Sequence, residues 1–189
     1  MSNKLLGGIF VLAVLSSAIP KFMGYQGFSV ITPPQEDKAV EIPAAKQGDA
    51  PDAPRQINDN VVAFNTQDKS LKAAKDQGRK TLPRFLKMLA DGNAGTYSVK
   101  FPLTQNGATE HIWLQVDDYQ NDTFAGRLAD VPVNGTKYKM GDVLTIAKSD
   151  VEDWMIRDGD AIWGAYTARV AVASMPEDQA KQLQAMFRD

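Results

Sequence analysis

The sequence predicts an α+β domain: an N-terminal helix, kinked or split, then a small antiparallel sheet of four or five strands with a short helical insert, and a C-terminal helix. Three observations predict it. From Asp68 the apolar residues recur at helical spacing. From Thr96 onward they alternate in short runs separated by turn residues, and after Ser174 the helical spacing returns.

The first helix is read from Leu71, Ala74, Gly78, Leu82, Phe85 and Leu89, which fall on one face, with Lys69, Lys72, Lys75, Arg79, Lys80, Arg84 and Lys87 around the rest. Pro83 removes an interior backbone donor, so a kink or a break is expected there, with Thr81 capping the second half. Asp91-Gly92-Asn93 stops the helix. Tyr97, Val99 and Phe101 then alternate with Thr96, Ser98 and Lys100, and Gln105-Asn106-Gly107 is a turn. In the run from Glu110 to Val116, Ile112, Leu114 and Val116 share one face, and His111, Trp113 and Gln115 share the other. Thr123 to Ala129, Val143 to Ala147 and Ala161 to Val172 supply the remaining strands, with turns at Asn134-Gly135 and Asp158-Gly159. Ser149 with Glu152 has the spacing of a capping box for a short helix through Trp154. Ser174 with Glu177 repeats it before a helix that puts Ala180, Leu183 and Phe187 on one face. About 120 residues are thereby folded, enough for one modest core.

Composition excludes more than it selects. The 189 residues contain no Cys and a single His, His111, so disulfides, thiolate metal sites, a Cys nucleophile and multi-histidine metal sites are excluded. With 21 basic and 23 acidic side chains the chain is nearly neutral, unlike a general nucleic-acid binder. No metal and no cofactor is expected. Charge is nevertheless uneven. Residues 61–100 carry 8 basic and 3 acidic side chains, and residues 101–189 carry 8 basic and 14 acidic. The basic helix is a solvated face or a contact for anionic lipid or a partner.

Ahead of the folded part, residues 1–31 are expected to be a signal peptide or a membrane anchor. Lys4 precedes an apolar run from Leu5 to Ile19, shorter than the about 20 residues of a spanning helix. Ser16-Ser17-Ala18 supplies the small residues of a cleavage site, while Phe22 to Ile31 allows an uncleaved anchor. Residues 32–65 are expected to be a flexible linker. Five of the chain's 10 prolines lie in this segment. As a coil, Thr32 to Asn60 would span roughly 30 Å. Residues 66–189 form the domain. Either reading of residues 1–31 exports the domain: in a bacterium it would be inner-membrane anchored and facing the periplasm, or periplasmic after cleavage near Ala18, with residues 5–31 making any membrane contact.

The second half carries a set of short motifs in a fixed order: Glu110-His111-Ile112-Trp113, Phe124-Ala125-Gly126-Arg127-Leu128-Ala129 running to Pro132-Val133, Gly141-Asp142-Val143, Val151-Glu152-Asp153-Trp154-Met155 and Gly164-Ala165-Tyr166-Thr167-Ala168-Arg169. With Thr81-Leu82-Pro83 and Phe85, this set resembles the YegJ-like family of bacterial proteins, domain of unknown function 2314, over roughly Asp68 to Val172. The resemblance supports the fold and brings no activity with it. The family has Gly at the place of Ala165, which implies that a backbone requirement is relaxed here.

Candidate catalytic residues are His111, Asp153 and Thr167. His111 titrates nearest neutrality and would be a general base oriented by Asp153 or Asp118, with Thr167 as nucleophile. The competing reading packs His111 on Trp113 within the fold, because the sequence shows no strand-to-helix nucleophile elbow. Candidate binding residues are Trp113, Trp154, Trp163 and Arg169. Trp154 is either an aromatic platform or a core anchor. Arg169, on a strand face with Thr167 and Trp163, would grip a carboxylate or phosphate, or an internal partner such as Asp142 or Asp153. Tyr166 would lie on the opposite face. Asp117, Asp118 and Asp122, like Asp158 and Asp160, are read as solvated turns, since neither group has a calcium-loop pattern. The sequence therefore points first to a binding domain whose partner is an envelope protein or cell-envelope component, with no role for nucleic acid. A small hydrolase or transferase centred on His111, and an immunity-type protein that neutralises a toxin, are the alternatives.

Overall fold

The computed structural model describes residues 9–13, 55–58, 61–65 and 68–189. Asp68 opens helix α1 (Lys69–Ala90) as its N-cap, its carboxylate accepting from the backbone N–H of Ser70 and Leu71 at 2.8 and 3.1 Å. Leu71, Ala74, Gly78, Leu82 and Phe85 are buried, which is the face read from the spacing. The helix is continuous across Pro83, so the expected break is corrected. A proline in a helix interior costs about 3 kcal/mol, and burial of this apolar face offsets it. Thr81 is no cap: its hydroxyl donates to the Gln77 carbonyl at 2.8 Å and accepts from the Trp154 indole at 2.9 Å.

The central strands follow as expected. β4 (Thr96–Gln105) and β5 (Ala108–Gln120) form a hairpin across Asn106-Gly107, both with positive φ as a two-residue turn demands. β5 pairs antiparallel with β6 (Thr123–Leu128), and β6 with β7 (Val143–Ala147). β8 (Asp153–Asp158) pairs with β4 on one side and with β9 (Ala161–Gly164) on the other. The N-terminal strands β1 (Ile9–Ala13), β2 (Arg55–Asn58) and β3 (Val61–Asn65) extend the sheet beyond β5, and the two-residue strand β10 (Phe187–Arg188) extends it beyond β9. Both β1 on β5 and β10 on β9 run parallel, so the sheet is mixed and larger than the antiparallel sheet expected.

The leader or anchor expected over 1–31 and the linker expected over 32–65 fall mostly outside the described residues. Within them, Ile9–Ala13, Arg55–Asn58 and Val61–Asn65 are strands, in keeping with the β-branched residues of Val61-Val62 and Ile57. Among the described residues, no helix is long and apolar enough to cross a membrane.

Three further differences concern the C-terminal half. The helix expected from Ser149 through Trp154 is only a 3₁₀ turn over Lys148–Asp150, and Trp154 lies in β8. Residues Val151 to Ile156 are all buried, and that burial on both faces of an extended chain outweighs the capping signal. The strand expected over Ala161–Val172 ends at Gly164, and α2 (Tyr166–Val172) follows. The last helix, α3 (Glu177–Gln184), starts behind Pro176 rather than under a Ser174 cap, and Phe187 belongs to β10. Phe187 still packs beside Leu183 against Ala180 and Leu71, as the spacing required.

The strands present two buried faces. On one, Val99, Phe101, Ile112, Leu114, Trp154 and Ile156 surround Phe85 of α1. Phe85 lies 5.5 Å from Tyr97, 5.6 Å from Trp154 and 6.1 Å from Phe124, centroid to centroid. Full burial of each such ring contributes about 1.5–3 kcal/mol. On the other, Trp113 and Met155 pack with Ile162, Ala165 and Ala168. The second face also receives the charged residues that make the site.

Candidate functional site

Gly78 determines how α1 sits on the sheet. A Cβ there would stand 2.7 Å from the Glu152 carbonyl oxygen and 2.9 Å from Asp153 Cα, so only glycine lets the helix approach β8 this closely. The approach brings Lys75 and Arg79 over Glu152. Lys75 Nζ lies 3.0 Å from Glu152 Oε1, and Arg79 lies 3.7 Å from the same oxygen. The other carboxylate oxygen is hydrogen-bonded to His111 Nδ1, and Lys75 stands 3.4 Å from that nitrogen. Burial lowers the His111 pKa, against the raising effect of Glu152. Burial raises that of Glu152, but His111 and Lys75 more than offset it and hold the carboxyl below its usual range. Lys75 is lowered by burial, with Glu152 opposing.

Beneath this cluster lies a second, fully enclosed one. Lys100, Asp153 and Thr167 each have 0% exposure. Asp153 accepts from the Trp154 amide at 2.8 Å, the Thr167 amide at 2.8 Å and the Thr167 hydroxyl at 2.7 Å. Lys100 Nζ is 3.5 Å from the Thr167 hydroxyl oxygen and 5.0 Å from the Trp113 ring centroid. Burial brings its pKa down to about 7, even with Asp153, Asp130 and Glu152 acting the other way. Asp153 is raised by burial, against the bonds from Thr167.

The catalytic set read from the sequence is thus divided. His111 is oriented by Glu152, not by Asp153 or Asp118. Asp118 lies at the far end of β5, beyond the bulge that follows Val116. Thr167 is in the first turn of α2, its hydroxyl turned inward to Asp153. A strand-to-helix turn does exist, at Gly164-Ala165-Tyr166, but its central residue carries a methyl group. Ala165 sits at φ 52° and ψ 39°, the left-handed conformation, so the backbone requirement inferred to be relaxed is still in force.

The tryptophans have separate placements. Trp154 is fully buried and anchors the core. Trp113 is buried with its indole N–H unbonded among the described residues, and Trp163 is half-buried against the main core. Arg169 turns to neither Asp142 nor Asp153. Its guanidinium donates to the Gly164 carbonyl at 2.9 Å, the Asp189 carboxylate at 3.0 Å and the Arg188 carbonyl at 2.5 Å, and covers the Phe187 ring at 4.9 Å. Tyr166 is one helical turn away, its ring 5.6 Å from Arg169, and not on an opposite strand face. In the acidic turn, Asp122 accepts from Tyr119 and Lys148 at 2.7 and 3.0 Å. Among the described residues, no group of three or more His, Asp or Glu could hold a metal ion.

A second site, which motif reading did not assemble, is the connection from Ala129 to Asp142. Glu110, buried, accepts from the amides of Val133 and Asn134 at 3.0 and 3.2 Å. Gln105 accepts from the Lys137 amide at 3.1 Å, and Asn106 donates to the Asn134 carbonyl at 3.0 Å. Asp142 accepts from the Lys139 amide at 3.0 Å, and the Gly141 amide donates to Leu128 at 2.8 Å. On this fixed backbone and at its exit into β7, apolar side chains face solvent: Val131 at 67% exposure, Val133 at 38%, Met140 at 59% and Val143 at 66%. The available signal was Glu110 itself, an acidic residue that alternation puts on the same strand face as Ile112 and Leu114.

An α+β domain with a buried charged joint on one sheet face and a braced apolar loop at its edge is the class that fold and site define. The model of the family described as an uncharacterized protein conserved in bacteria, DUF2314, matches residues 68–187, and the chain belongs to that family. It is 32% identical over 130 residues to the uncharacterized protein YegJ of Escherichia coli (strain K12), covering 69% of this chain and 85% of YegJ. No solved structure matches.

Proposed function

We propose that the protein is an exported or membrane-anchored envelope protein whose domain binds another protein or an envelope component. The observation that carries this reading is the loop from Ala129 to Asp142. Apolar side chains exposed on a backbone already fixed by buried acceptors lose little freedom on binding, and exposed apolar groups clustered in one connection mark interaction surfaces. The apolar run from Leu5 to Ile19 and the prolines behind it support the location. The test immobilises the full-length chain and a Val131→Ser/Val133→Ser/Met140→Ser variant and exposes both to an envelope extract of the native bacterium. A component held by the native chain and lost by the variant is the expected result. Equal recovery by both removes the loop from the reading, and recovery of nothing specific removes binding.

A second reading, a hydrolase or transferase, is favoured by one observation, the hydrogen bond between His111 and Glu152, which orients an imidazole as in an acid–base pair. It requires an activity that His111→Ala and Glu152→Gln both abolish while the fold stays intact.

A further inference from the structure

Among the described residues, the edge strand β7 pairs with β6 alone, so about half of its backbone N–H and C=O groups point away from the sheet. Natural edges of this kind are blunted by Lys, Pro, a bulge or an inward charge. β7 reads Val-Leu-Thr-Ile-Ala and has none of these. Val143, Thr145 and Ala147 are exposed on one face, while Leu144 and Ile146 are half-buried against the core. Charges of opposite sign stand at the two ends, Asp142 before the strand and Lys148 after it.

That pattern is self-complementary in one orientation. Antiparallel pairing of two β7 strands about a two-fold axis at Thr145 sets Val143 opposite Ala147, Leu144 opposite Ile146 and Asp142 opposite Lys148, each twice. An in-register parallel pairing would set Asp142 beside Asp142 and Lys148 beside Lys148. A two-fold interface joins the same patch of both copies, as this arrangement does. Lys148 is held by Asp122 at 3.0 Å, but that pair is surface-exposed and worth about 0–1 kcal/mol, so exchange for Asp142 of a second copy is easy. The uncharged cross-strand pairs and the Thr145–Thr145 pair add the side-chain contacts that stabilise sheet edges. We infer that β7 is a dimerisation edge, occupied by β7 of a second copy of this chain in antiparallel register centred on Thr145. This holds whether or not the loop binds a further partner.

The test uses the full-length chain in analytical ultracentrifugation, with circular dichroism to verify the fold of each variant. A concentration-dependent dimer is expected. Asp142→Lys and Lys148→Asp should each weaken it at least about tenfold, and the double variant, which restores opposite charges, should recover it. Because the chain has no cysteine, Thr145→Cys provides a second measurement. It should form an intermolecular disulfide under mild oxidation, where Thr104→Cys on β4 does not. A chain that stays monomeric up to about 100 μM overturns the inference. So does a dimer indifferent to both single charge changes, or a Thr145→Cys chain that cross-links no faster than the Thr104→Cys control.

Discussion

The loop from Ala129 to Asp142 and the joint around Lys100 and Asp153 both depend on a buried carboxylate, and they use it in opposite ways. Glu110 accepts from two backbone amides with the loop's apolar side chains turned out to solvent. Asp153 accepts from Thr167 and Trp154 in the closed interior, with the Lys100 ammonium enclosed beside it. In the first region the buried charge organises a surface. In the second it holds elements together: β8 bears Asp153, α2 bears Thr167, and β4 bears Lys100. A titratable residue inside a fold is therefore no sign of a catalytic centre until its partners are known.

Breaking the joint should have the largest effect. Asp153→Ala removes three accepted hydrogen bonds and leaves Lys100 enclosed beside an apolar gap, a loss of about 3–5 kcal/mol in denaturant unfolding. A loss below about 1 kcal/mol would mean that the joint is not what ties these elements together.

The same joint should make stability depend on pH. Lys100 in the fold has its pKa lowered to about 7 from 10.5, so between those values the unfolded chain carries a proton that the native chain does not. Stability should then rise as pH climbs from about 7 to 10, by at most about 1.4 kcal/mol per pH unit from this group. Lys75 is lowered in the same direction, so the contrast between wild type and Lys100→Met isolates the Lys100 share. Identical pH slopes for the two proteins would count against it.

The loop is the milder counterpart. Glu110→Ala should reduce stability by about 1–3 kcal/mol and speed hydrogen exchange at the Val133 and Asn134 amides while exchange around Asp153 is unchanged. Ala165→Gly sharpens the comparison from a backbone position. It relieves about 1–2 kcal/mol of left-handed strain. Against that stand about 0.8 kcal/mol for the buried methyl and about 0.4–1 kcal/mol of added unfolded-state freedom. A net change within about 1 kcal/mol is expected in thermal melts. Smallest of all, Val131→Ser should alter stability by no more than about 0.5 kcal/mol, so any loss of partner binding it causes is a loss of contact.

The fold was legible where a single rule decided the backbone. The α1 face, the Asn106-Gly107 hairpin and the run of β5 follow from spacing and turn chemistry alone. Tyr166 to Val172 misled because Tyr, Thr and two Val favour strands, and the left-handed break at Ala165 has no glycine at that position to announce it. In the site, alternation along β4 placed Lys100 on the face opposite Val99 and Phe101, and the rule by itself would turn that face to water. That is right for a sheet with one wet face, and this sheet has none at that position. Glu152 was read as a capping residue because its spacing from Ser149 fits one, and its pairing with His111 joins positions 41 residues apart. Such pairings leave no local trace.

Gly78 has a consequence for how this sequence can diverge. With the Glu152 carbonyl and Asp153 backbone against the position where a side chain would begin, α1 can neither slide nor roll without carrying β8 along. Descent should therefore keep glycine at position 78 wherever α1 keeps this seat, because the atoms in the way are chiefly backbone and no exchange of side chains at 152 or 153 moves them. A relative that carries a larger residue at 78 is expected to seat its helix farther from β8, whichever residues it carries at 152 and 153.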